Sequence, residues 1–104
     1  MEEALNKISE IITEYESGAF YTLDRLRVLR RELSSCHYKI TVEKVRYHKD
    51  FNVQVNQHKG SNAAARAYAE HKVPELYLCR NVLTSVKLVL DSMQQEISIM
   101  KNDN

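Results

Sequence analysis

The sequence predicts an all-α protein: a long antiparallel helical hairpin, coiled-coil-like, kinked near Pro74 and self-associating. Two observations carry that fold. Apolar residues recur at Leu76, Cys79, Leu83, Val86, Leu90, Met93, Ile97 and Met100, in alternating steps of three and four. The same rhythm runs through the first half at Leu5, Ile8, Ile12 and Tyr15, then, after Ala19 and Thr22, at Leu26, Leu29, Leu33, Cys36, Ile40 and Tyr47. The second observation is the scarcity of breakers. Two glycines and one proline in 104 residues suit long helices better than a turn-rich sheet.

Taken in order, residues 1–17 form an amphipathic N-terminal helical segment, with Gly18 expected to kink the first helix. A long helix is expected over 19–58. Glu43 and Asp50 interrupt its apolar seam, so packing is expected to loosen there. Residues 38–55 also alternate as a strand would (Tyr38, Ile40, Val42; Phe51, Val53, Val55), which keeps a short β-hairpin open as an alternative. Residues 59–62 are the turn: Gly60 tolerates a positive φ, and Ser61 or Asn62 caps the next helix. Helices over 63–72 and 74–101 return the chain. The break between them falls at Pro74, which forces Val73 out of the helical region and then opens the last helix as its first residue.

Folding the chain at residues 59–60 pairs Ile40 with Cys79, Leu33 with Val86 and Leu26 with Met93. In that register Leu5, Ile8, Ile12 and Tyr15 overhang beyond the C-terminus. With Val82 and Val89 they make the expected oligomer interface, since a bare two-helix hairpin buries too little surface.

The formal net charge of +1 conceals a division. Residues 1–23 carry five Glu against Lys7, residues 24–60 carry nine Lys/Arg against four acids, and the remainder balances. One flank of the expected seam looks paired and partly apolar: Arg25 faces Glu96, Arg46 faces Glu75, and Val82 and Val89 lie between. On the other flank Arg30 faces Lys87 and His37 faces Arg80, with Lys44 beyond. Opposed cations cost stability, so Arg30, His37, Lys44, Arg80 and Lys87 are the candidate phosphate contacts. Lys59 joins them beside the amide-rich start of the next helix. Tyr38, Tyr47, Phe51, Tyr68 and Tyr77 lie in or near that region, and aromatics among cations are what single-stranded nucleic acid needs.

Catalytic and metal motifs are missing from the sequence: no CxxC, HExxH, GxSxG or glycine-rich phosphate loop. Cys36 and His37 are neighbours pointing about 100° apart on a helix, which is wrong for a thiolate–imidazole pair. A non-enzymatic protein without cofactor or metal is the expectation. No apolar run approaches the ~20 residues of a membrane span. No signal peptide is evident, so a cytoplasmic protein with reduced Cys36 and Cys79 is expected.

The stretch Lys59-Gly60-Ser61-Asn62-Ala63-Ala64, then Ala67-Tyr68-Ala69-Glu70, Val73-Pro74-Glu75-Leu76 and Arg80, continuing into heptads, resembles small helical proteins encoded by bacteriophages. The architecture of residues 20–103 is similar to that of UvsY-type recombination mediators. That resemblance implies a homo-oligomer in the host cytoplasm that binds single-stranded DNA and assists a recombinase; it transfers no individual site residue. The alternative function is a helical module that binds protein, such as a phage assembly factor or an inhibitor of a host defence protein.

Overall fold

The computed structural model describes residues 1–18 and 22–102, and four helices occupy them: α1 (Glu2–Glu16), α2 (Leu23–Gln57), α3 (Asn62–Lys72) and α4 (Pro74–Asn102). No strand is present among the described residues, and the 38–55 segment is continuous helix. At 1.5 Å per residue, the 35 residues of α2 extend about 52 Å. They account for most of the 62 Å long axis of a rod only 24 and 19 Å across.

Local chemistry sets the inner helix ends. Thr22 caps α2, its Oγ1 accepting from the Arg25 amide at 3.1 Å. Ser61 caps α3, its hydroxyl accepting from the Ala64 amide at 3.2 Å. Gly60 holds a φ of +157°, where a Cβ would come within 3.2 Å of the His58 ring. Val73 leaves the helical region at φ −129°, and Pro74 then opens α4.

α2 and α4 run antiparallel. Arg27–Ser34 share a groove with Gln94–Lys101 at one end, and His48–Val55 share one with Arg80 at the other. Leu26, Leu29, Leu33, Cys36 and Ile40 from α2 close the core with Cys79, Val86, Met93 and Ile97 from α4. Beyond Ile40 no α2 residue is fully buried, and Tyr47 is only half-covered. The short helix α3 packs against that thinner half of α2 through Ala65 and Ala69, whose small side chains allow close approach.

The N-terminal segment corrects the expected overhang. α1 folds back onto α2, burying Ala4, Ile8 and Ile11 and half-covering Leu5, Ile12 and Tyr15. Lys7 pairs with Glu32 at 3.7 Å and Glu14 pairs with Arg25 at 2.6 Å, so a step of seven along α1 matches seven back along α2. Against α4 the direction is parallel. The Cys79 thiol donates to the Met1 thioether at 3.5 Å, and the Tyr15 hydroxyl lies 2.7 Å from that of Ser92. The reversal begins at Gly18, which does not kink a continuing helix but stands just past the end of α1 at φ +65°, a conformation that costs glycine little. The expected helix start at residue 19 gives way to Leu23, and residues 19–21 lie outside the described ones.

The molecule is therefore a three-helix arrangement over half its length, not a bare hairpin. The apolar surface that motivated self-association is largely covered within the chain: Val82 and Val89 also pack against its core. Two expected ion pairs change with it. Arg25 is taken by Glu14 rather than Glu96, and Arg46 pairs with Glu43, one helical turn away, rather than with Glu75.

Ile11, 2% exposed, tests this docking. Ile11→Ala is expected to cost about 2–5 kcal/mol and lower Tm by about 10 °C or more by calorimetry. An unchanged Tm would place α1 outside the folded core. The Glu14–Arg25 pair gives a pH signature. The hydrogen bond from Arg25 holds the Glu14 carboxyl below its ordinary 4.5, against a smaller opposing effect of desolvation. Stability from a depressed acid is present above the unfolded-state value and lost as pH falls through the folded one. The parent is therefore expected to lose Tm slightly more steeply than Glu14→Gln below pH 4.5, a small difference because both groups are exposed.

Candidate nucleic-acid interface

On the side of the α2–α4 pair away from α1, Arg27, Arg30, Arg31 and Lys101 line a groove of about 600 Å³ with Ser34, Gln94 and Ser98. Ile97 is its apolar member. The α2 residues fall at spacings of three and four, so α2 presents them on one face. Among the described residues no carboxylate lines the groove, and no residue of α1 reaches it.

Ion pairing is one-sided. Among the described residues the three ion pairs are Lys7–Glu32, Arg25–Glu14 and Arg46–Glu43. Two involve α1, and Glu43 lines the groove that the start of α1 makes with α2. None engages Arg27, Arg30, Arg31, Arg66, Arg80, Lys87 or Lys101. The Nε of Arg30 is shielded from solvent and has no hydrogen-bond partner, which leaves part of that guanidinium's donor capacity unspent against the bundle.

The cationic face continues toward the other end of the rod. Arg80 and Arg66 line a second groove with His48, Phe51, Asn52, Val55 and Asn62. About 27 Å of helix separates Arg30 from His48. The hydroxyls of Thr41 and Thr84 donate to the carbonyls of His37 and Arg80 one turn back, at 2.8 and 3.0 Å.

The sequence-predicted contacts are thus partly assembled. Arg30 lies with Gln94, Ser98 and Lys101 rather than with Lys87, and Arg80 lies with His48 and Arg66 rather than with His37. His37 and Lys44 are half-buried along α2, outside both grooves, and Lys87 is exposed. Lys59 is exposed in the connection before α3 and lines neither groove; the α3 start beside it is already capped by Ser61. Sequence reasoning missed Arg27, Arg31, Arg66 and Lys101. Arg27 and Arg31 were findable as the helical neighbours of Arg30, whereas Arg66 depended on where α3 docks.

The aromatics divide as well. The Tyr47 ring is covered by its neighbour Arg46 at 5.0 Å. The Tyr68 ring packs tilted at 41° against that of His58, 5.0 Å away, with Lys72 over its face. Tyr38 is 70% exposed but sits on the α1 side, in the groove with Met1, Ala4, Lys39 and Val42. Phe51 and Tyr77 lie on the cationic side.

Cys36 and Cys79 are buried free thiols, and burial is the main influence raising both above the ordinary thiol range. Among the described residues no group of three or more His, Cys, Asp or Glu is placed to hold a metal ion, and no helix is long and apolar enough to cross a membrane.

The crowded cations make a prediction independent of any ligand. Like charges one turn apart destabilise a helix by about 0.2–0.5 kcal/mol, and salt screens them. Raising salt from roughly 20 to roughly 300 mM is expected to raise the parent's Tm more than that of Arg27→Gln/Arg31→Gln, by scanning calorimetry. Identical salt responses would show that the two arginines do not repel.

Searches with protein-family models, among curated proteins and among solved structures find no match to this chain.

Proposed function

We propose that the protein is a non-enzymatic accessory protein that binds single-stranded nucleic acid along the face formed by α2 and α4. The observation that carries this reading is the row of unpaired cations opposite α1, with no carboxylate in its main groove among the described residues. A flexible single strand follows such a face because each phosphate replaces released counterions and no rigid duplex geometry has to be matched. A role beside a recombinase, as in recombination mediators, is one setting in which such binding operates; self-association on the nucleic acid belongs to the same proposal.

A second reading, a protein-binding module, draws on a different observation. Tyr38 and Val42 are 70% and 50% exposed where α2 meets the start of α1, an apolar pair suited to a partner helix.

Fluorescence anisotropy with a labelled single strand of about 20 nucleotides separates the two. Each phosphate contact contributes roughly −0.7 to the slope of log K against log salt, so four to six contacts give about −3 to −4. Replacing Arg27, Arg31 and Lys101 together with Gln is expected to remove about 2 from that slope. Arg25→Gln/Arg46→Gln, on the paired side, is expected to leave it nearly intact. Equal losses from the two variants would mean diffuse attraction, and no salt-sensitive binding by the parent would favour the protein-binding module.

A further inference from the structure

We infer that the cleft at the α3–α4 junction is a nucleobase subsite, in which Phe51 and Tyr77 stack on a base while Arg66 and Arg80 hold the adjoining phosphates. The inference rests on the single-strand reading above and adds the contact that makes the interface recognise bases rather than charge alone.

The cleft measures about 470 Å³, enough for a base and its sugar, and the break before Pro74 opens it by bending the chain between two helices. Leu76, 3% exposed, contributes an apolar floor. Tyr77 stands on the wall at 70% exposure, with neither a hydrogen bond nor a ring partner among the described residues. Large aromatics normally bury most of their surface. Tyr47 and Tyr68 do so in part by accepting a cation from this chain over the ring, so neither offers a free face as Tyr77 does. Tyr38 is equally exposed but lines the groove that α2 makes with the start of α1, not this cleft.

The guanidinium groups fix what occupies the cleft. Arg66 and Arg80 also line the adjoining groove with His48, so they stand where the two recesses meet, and neither is in an ion pair among the described residues. A base resting on the aromatic wall would place its own backbone phosphate beside them. Glu70 is the one carboxylate among the described residues of the cleft. It accepts from a base N–H but repels phosphate, which orients the nucleotide with its backbone toward the arginines. The cationic groove at Arg27 and Arg30 lacks any aromatic lining, so it holds backbone without reading bases.

The test compares a labelled strand of about 12 deoxycytidylates with an abasic deoxyribose-phosphate strand of the same length, both titrated into the intact protein. Stacking of one base contributes roughly a 5- to 150-fold gain. The parent is expected to bind the base-bearing strand at least about five-fold tighter. Tyr77→Ala is expected to lose most of that preference while binding the abasic strand within about two-fold of the parent. Tyr77→Phe is expected to retain the preference, and Tyr38→Ala to leave both affinities unchanged. An unchanged helical circular dichroism spectrum is expected of each variant, because both tyrosines are exposed. Equal binding of the two strands by the parent, no effect of Tyr77→Ala, or an equal effect of Tyr38→Ala would overturn the subsite and leave the single-strand reading in place. Binding of neither strand would overturn both.

Discussion

The fold depends on the breadth of the apolar stripe on α4. A strict alternation of threes and fours makes a seam for one partner helix. Here Val82 and Val89 stand beside Leu83, Val86, Leu90 and Met93, so the stripe is wide enough to serve two. α2 takes its centre, leaving Val86 and Met93 essentially inaccessible. α1 packs chiefly against α2 and meets only the edge of this stripe, at Met1–Cys79 and Tyr15–Ser92. Thirteen residues of α4 separate those contacts, about 20 Å, and the fifteen residues of α1 extend about 22 Å. The match in length explains why α1 lies along the pair rather than projecting past its end.

The heptads of α2 and α4, the Ser61 cap and the Pro74 break were legible in the sequence because each is a local signal. Periodicity marks a buried face, a hydroxyl before an alanine-rich run marks a helix start, and proline cannot sit inside a helix without breaking its hydrogen bonds. The docking of α1 was not legible by the same means. Its own pattern admits more than one stripe: the expected Leu5, Ile8, Ile12 and Tyr15 differ from the buried Ala4, Ile8 and Ile11 by a small rotation. No pattern states that Gly18 takes a φ of +65° past the end of α1 instead of kinking a continuing helix. The clue that was present is the pair Val82 and Val89, apolar residues on a flank where a two-helix coiled coil would carry charge. Two strongly apolar residues facing solvent are better explained by a third helix. The candidate cations were legible as a class and misaligned as individuals, because residues beside the seam are set by the local offset of the helices and by where α3 lands.

The same docking event sorts the charges. α1 brings Glu2, Glu3, Glu10, Glu14 and Glu16 to one side of the rod, and Lys7, Arg25 and Arg46 find partners in Glu32, Glu14 and Glu43. The opposite side receives no such helix, so Arg27, Arg30, Arg31 and Lys101 keep their charge without compensation. A chain with a formal charge of +1 thus carries a strongly basic face. A polyanion approaching it is repelled by one side and drawn to the other, which fixes its orientation before any contact forms.

The rod also differs from end to end. Where α1 covers the pair, the core is dense and the cationic groove above it is lined by arginine, lysine and small polar groups. Where α3 covers it, no α2 side chain beyond Ile40 is fully buried, and the chain break at Pro74 leaves a recess with aromatic walls. A recess of that kind costs packing, since atoms along its walls lose neighbours they would have in a closed core. A longer α3, or a residue other than proline at position 74, would close it. The less dense end is therefore the one able to admit a flat ligand, while the dense end holds the helices in register beneath the charges. Backbone capture at one end and base contact at the other are consequences of a single asymmetry: α1 is long enough to cover the α2–α4 pair on only one half of its length.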